Sequence, residues 1–78
     1  MKAIVGKRYM HYKGGEYTVI AIGRLEANPG SLCVVYQAEY PTEFGETSVW
    51  IRPIENFEET IVFEGNNIER FRVIEGTL

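Results

Sequence analysis

Few residues in this 78-residue chain have side chains suited to chemistry at neutral pH: one histidine, one cysteine, one tryptophan and a scatter of arginines and tyrosines. Trp50 and Arg52 come first. Thr47 to Pro53 alternates so that Ser48, Trp50 and Arg52 share one side of a strand while Val49 and Ile51 take the other. An indole beside a guanidinium can hold an anion, stack a base or receive a peptide aromatic. The structural alternative has Trp50 covering a barrel mouth and Arg52 paired with a carboxylate or a backbone carbonyl. His11 alternates with Tyr9 and Lys13 on a strand face. A lone imidazole there can donate to a ligand or exchange a proton near pH 7, and in the structural reading it bonds a neighbouring strand or loop.

Four tyrosines, Tyr12, Tyr17, Tyr36 and Tyr40, offer apolar area with a polar tip. Tyr17 and Tyr36 are expected inside, with Tyr12 and Tyr40, beside turns, at the surface. Arg70 and Arg72 alternate with Phe71 and Val73, which reads as a basic outer face over an apolar inner one, near Arg52 if the last strand approaches the fourth. The candidate ligand-binding set is therefore Trp50, Arg52, His11, Tyr12 and Arg70.

Catalytic and metal chemistry find little support. Cys33 sits in Leu-Cys-Val-Val, where a thiol behaves as a small hydrophobe, and only His11 offers an imidazole to activate it. One cysteine and one histidine do not make a structural zinc site, and Glu55, Glu58 and Glu59 lack the oxygen-ligand spacing of a calcium loop. Gly14-Gly15 and Gly65 do not form a phosphate-binding motif. No catalytic residue, metal or cofactor is assigned.

The positioning elements follow from pattern. Lys7 to Lys13 reads as a short strand closed by the turn residues Gly14-Gly15, and Glu16 to Arg24 as a central strand covered on both faces. Glu26-Ala27-Asn28-Pro29-Gly30 marks the clearest break, with Asn-Pro-Gly supplying turn chemistry. Ser31 to Tyr40 resumes a strand with Leu32, Val34, Tyr36, Ala38 and Tyr40 on one face, and Pro41 to Glu46 is a loop. After the Thr47–Pro53 strand, Ile54 to Glu59 is too short for more than one turn of helix or an irregular bend. Thr60 to Glu64 and Ile68 to Ile74 form a last hairpin around Gly65-Asn66-Asn67. Short strands with tight loops predict a mainly β fold, a small antiparallel barrel with at most a short helical turn, filling one domain over residues 1–78. A mixed α+β fold with a longer helix is the competitor.

Composition sets the outer limits. At 45% hydrophobic residues the chain has material for one core, and its size leaves self-pairing into a homodimer open. Eight Lys plus Arg against eleven Asp plus Glu give a net charge of -3, which disfavours generic duplex binding, although Lys2, Lys7, Arg8 and Lys13 cluster near the start. A Met-Lys start without a signal-peptide core, apolar runs far short of a membrane span and a single cysteine give a cytoplasmic expectation.

Tyr9-Met10-His11-Tyr12-Lys13-Gly14, Tyr17 and Val19, Val34-Val35-Tyr36, Trp50-Ile51-Arg52-Pro53, Phe57 and Arg70-Phe71 together resemble the DUF1653 family of small bacterial proteins of unknown function. The likeness spans roughly Gly6 to Val73. It implies an SH3-like barrel and brings no activity with it. Family members often read Ala-Arg-His-Ser-Glu-Thr after the second strand, where this chain has Ile22-Gly23-Arg24-Leu25-Glu26-Ala27, so no role for a histidine in that loop carries over.

Three functions remain in view at this level. The first is a noncatalytic binding module for a protein segment or small anionic ligand. The second is single-stranded RNA or other nucleic-acid binding, with aromatics stacking bases. The third is a small enzyme using His11 as acid or base.

Overall fold

The computed structural model describes residues 3–45 and 48–74. It is mainly β: β1 (Arg8–His11), β2 (Glu16–Leu25), β3 (Asn28–Ala38), β4 (Val49–Pro53), α1 (Ile54–Phe57), β5 (Thr60–Phe63), β6 (Asn66–Glu69) and β7 (Phe71–Val73). One antiparallel sheet runs β4-β3-β2-β1-β7, and β5 and β6 form a separate two-stranded ribbon. The single helical turn after Pro53 agrees with the expectation; the longer helix of an α+β fold is not found among the described residues.

The first hairpin turns at Gly14 and Gly15, whose φ angles of 93° and 100° lie where an L side chain is strained. The hairpin of β2 and β3 turns at Glu26-Ala27, the start of the expected break, while Asn28-Pro29-Gly30 belongs to β3, with Leu25 opposite Asn28. A register irregularity between Arg24 and Leu25 accommodates Pro29, and the Arg24 side chain donates to the Pro29 carbonyl at 2.7 Å. The last hairpin also shifts. Glu64 and Gly65, with φ of 51° and 81°, make the turn, so Asn66 and Asn67 are strand residues. The expected strand over residues 68–74 divides at Arg70 into β6 and β7, which sit in different sheets.

A closed barrel is not found: among the described residues no strand joins the sheet's two edges, β4 and β7. Side chains span that gap instead. Phe57 of α1 is 1% exposed and stacks on Phe71 of β7, centroids 4.2 Å apart and 7° from parallel. Tyr9 and Tyr36 meet Phe57 edge-on at 5.3 and 5.5 Å. With Ala3, Val19 and Val34 these rings form the buried core. Aromatic bulk suits the position, because few residues must fill the whole space between the ends of a bent sheet.

The outer face of the sheet is more open than expected. Val19 is fully buried, but a register irregularity follows it and leaves Ile20 exposed, so β2 is central without being covered on both sides. The β4 alternation places its hydrophobic pair outward: Val49 and Ile51 are 55% and 69% exposed. Their neighbours Trp50 and Arg52 lie across from the buried Tyr36 and Val34, on the inner side of the sheet. The β3 face is as expected, with Val34, Tyr36 and Ala38 buried and Tyr40 emerging past the strand end. The Thr47 start of the fourth strand lies outside the described residues.

Candidate functional site

Arg52 occupies the inner side of β4 near the gap between the sheet's edges. Its Nε donates to the Tyr36 hydroxyl at 3.3 Å, and its guanidinium carbon lies 5.7 Å from the Phe71 ring centroid. Phe71 in turn meets His11, its partner in the β1–β7 register, edge-on at 4.8 Å. The last strand thus approaches the fourth across the core without pairing to it. No ion pair joins Arg52 to a carboxylate of the described residues.

His11 continues into a second group of rings. It lies 4.7 Å from Tyr12, and Tyr12 meets Phe63 of the β5–β6 ribbon at 5.4 Å. Lys13 and Arg70 each place a charge 5.8 Å from the Tyr12 ring. Arg70 is anchored by Glu59, side chain to side chain at 3.0 Å and backbone N–H to carbonyl at 2.9 Å, while the Tyr12 N–H donates to the Arg70 carbonyl at 2.9 Å. Four of the five sequence candidates, Arg52, His11, Tyr12 and Arg70, are therefore linked in one chain of ring and cation contacts through Phe71.

Trp50 stands apart. It shares the β4 side with Arg52, but its ring contact is Phe44 of the loop after β3, at 5.5 Å and 77°. Trp50 is 37% exposed, so it forms an adjoining aromatic shelf rather than the centre of the group. Sequence reasoning missed Phe71 as the link, because the β1–β7 pairing that sets it against His11 joins opposite ends of the chain. It expected Tyr17 to be largely buried. Tyr17 is half-buried, and its hydroxyl shares a 2.5 Å hydrogen bond with that of Tyr40. Burial and this bond push the Tyr17 phenol well above the ordinary tyrosine range.

The Nδ1 of His11 accepts a hydrogen bond from the Lys13 backbone N–H at 3.2 Å, which leaves Nε2 to carry the proton of the neutral ring. Partial burial first, then the charges of Arg52, Arg70 and Lys13, hold its pKa below the ordinary 6.5. Above that value the ring is neutral in folded and unfolded chains alike. As pH falls below it, the unfolded chain takes up its proton first, and stability is lost until the folded ring is protonated too. Thermal unfolding between about pH 7 and about pH 5 is expected to show a fall in midpoint that His11→Gln makes shallower. An unchanged slope in the variant would assign the acid sensitivity to other groups.

Other candidates have structural occupations. Arg8 pairs with Glu16, Glu58 accepts from the Ala3 N–H at 3.0 Å, and no group of three or more His, Cys, Asp or Glu among the described residues is arranged to hold a metal ion. Cys33 is a half-buried free thiol. No helix of the described residues is long and apolar enough to cross a membrane.

The model of the family described as "Protein of unknown function (DUF1653)" matches residues 7–73. This chain belongs to the DUF1653 family. A crystal structure of a DUF1653 protein from Bordetella bronchiseptica is similar to it with a TM-score of 0.77 and 24% sequence identity, covering 100% of this chain and 95% of that one. No curated protein matches. The DUF1653 fold is thus shared over the whole chain, and the match contains every member of the aromatic and cationic group, from His11 to Phe71.

Proposed function

We propose that this DUF1653 chain is a noncatalytic binding module, built on an SH3-like barrel left open at one seam, that holds an anionic group of a protein segment at Arg52. One observation carries the reading: a half-buried guanidinium, ringed by Tyr36 and Phe71, engages one phenol through Nε and no carboxylate of the described residues. Its terminal nitrogens point to an acceptor from outside, and a carboxylate matches their planar fork. The strand order supports the barrel reading, since a five-stranded sheet whose ends meet through Phe57 and Phe71 is curled nearly onto itself.

Arg52 sits half-buried on the inner side of β4 beside the seam, a setting that suits the carboxylate of an extended segment laid along it. The nucleic-acid reading has less support, because Arg8 and Arg70 already pair with Glu16 and Glu59 and fewer cations are left to follow phosphates. Acid–base catalysis by His11 has less again, since its ring accepts from a backbone N–H and no carboxylate of the described residues bonds to it.

Affinity capture from soluble extract, comparing the wild type with folded Arg52→Gln and Trp50→Ala variants, tests the reading. A protein ligand held by the wild type is expected to weaken by about tenfold or more with Arg52→Gln, the loss of a charge-assisted pair. Because Trp50 stands beside the group, Trp50→Ala is expected to cost less. Retention of the same material by all three, or recovery of salt-sensitive RNA instead of protein, would overturn it.

A further inference from the structure

A second site lies on the other side of β1. Met10 and Arg72 are register partners on β1 and β7, facing away from the core side that Tyr9 and Phe71 occupy, and the β5–β6 ribbon stands over them. Between them is a half-open cleft of ≈ 530 Å³, within the roughly 300–1,000 Å³ range of small-molecule sites. Its walls divide by chemistry. Met10 and Ile68 are its apolar residues, His11 and Tyr12 border it, and Arg72 and Asn67 are its donors.

We propose that this cleft binds a small aromatic monocarboxylate, with its apolar body against Met10 and Ile68 and its carboxylate on Arg72. The Arg72 guanidinium has no hydrogen bond or ion pair with any of the described residues, so its planar fork is open to a bidentate acceptor. The Asn67 amide adds a neutral donor. Glu69 also borders the cleft, and a ligand of one negative charge meets less repulsion from an acidic neighbour than one of two. The apolar residues beside a single open guanidinium suit an apolar body that carries one carboxylate. The inference stands apart from the reading of Arg52, which lies outside the cleft.

Benzoate and its neutral counterpart benzamide, titrated into isotopically labelled protein and followed by nuclear magnetic resonance, separate the alternatives. Benzoate is expected to shift the amide signals of Met10 and Ile68 and the Nε signal of Arg72, and to bind about tenfold more weakly to Arg72→Gln. Arg24→Gln, which removes a charge at the far end of β2, controls for net charge and is expected to leave benzoate binding within about twofold. The unaltered spectrum of each variant elsewhere establishes that it folds. Equal binding of benzamide, equal loss in both variants, shifts that gather at Arg52 and Phe71, or no shifts at all would each overturn the proposal. Because the shifts report location, failure here leaves the Arg52 reading intact, and loss of partner binding in Arg52→Gln leaves this one intact.

Discussion

Phe57→Ala is expected to remove most of the fold's stability at room temperature. Phe57 is 1% exposed and touches Tyr9, Tyr36 and Phe71, one ring each from β1, β3 and β7. Truncating a buried phenylalanine costs about 3–5 kcal/mol, and a domain of this size has roughly 5 kcal/mol of net stability. The loss falls where no backbone pairing compensates for it, since β4 and β7 are not joined by hydrogen bonds among the described residues and these rings span the gap. Urea unfolding followed by near-ultraviolet circular dichroism measures the effect. Phe57→Leu keeps most of the volume and is expected to fold with a clearly lowered midpoint. A Phe57→Ala protein with an undiminished transition would mean that the seam is held by something other than the stacked rings.

The second large effect is expected at the β1–β2 turn. Gly14 and Gly15 both have positive φ, but they differ in what an added methyl group meets. Nothing lies within 4 Å of a Cβ built on Gly14, whereas one on Gly15 would stand 3.0 Å from Tyr40 Cε1 and 3.1 Å from its hydroxyl. Gly14→Ala therefore carries backbone strain alone, about 2 kcal/mol, and Gly15→Ala strain plus displacement of a ring, about 3 kcal/mol. Moving Tyr40 also breaks its hydrogen bond to Tyr17, so the Tyr17 phenol is expected to return toward the ordinary tyrosine range in Gly15→Ala and to stay raised in Gly14→Ala. Ultraviolet titration of tyrosine absorbance, alongside denaturant unfolding, reads both. Equal losses of stability in the two variants would show that the Tyr40 contact contributes nothing.

These effects meet at the candidate site. Tyr17 touches Tyr36 and Phe71 as well as Tyr40, so the turn that seats Tyr40 and the core that seats Phe71 both bear on the rings around Arg52. The face proposed for binding is preorganised by packing: Arg52 is bonded at one end to a buried tyrosine and needs little reordering to receive an acceptor.

Local chemistry was legible where it is decided locally. The Gly14-Gly15 turn, the alternation of Trp50 and Arg52 with Val49 and Ile51, the helical turn after Pro53 and the buried side of β3 could all be read from residue type and period. So could the family resemblance, through Tyr9-Met10-His11-Tyr12-Lys13-Gly14 and Trp50-Ile51-Arg52-Pro53. The Asn28-Pro29-Gly30 segment misled because its turn chemistry is strong, yet the long β2–β3 pairing carries the strand through it and places the reversal at Glu26-Ala27. Period alone likewise did not say which side of β4 faces inward; pairing with Tyr36 and Val34 on β3 turned Trp50 and Arg52 in and the two aliphatic residues out.

The sequence by itself determined which residues carry charge, ring and donor, and which short stretches are extended. Only the tertiary structure decided which of them meet. His11 faces Phe71, and Phe71 faces Arg52, because β1 pairs with β7 and the sheet bends until β4 comes opposite; Trp50, two residues from Arg52, falls to another neighbour, Phe44. Period-two geometry relates a residue to its own strand, whereas contact across a bent sheet depends on strand order and curvature, which are set by how the core aromatics pack.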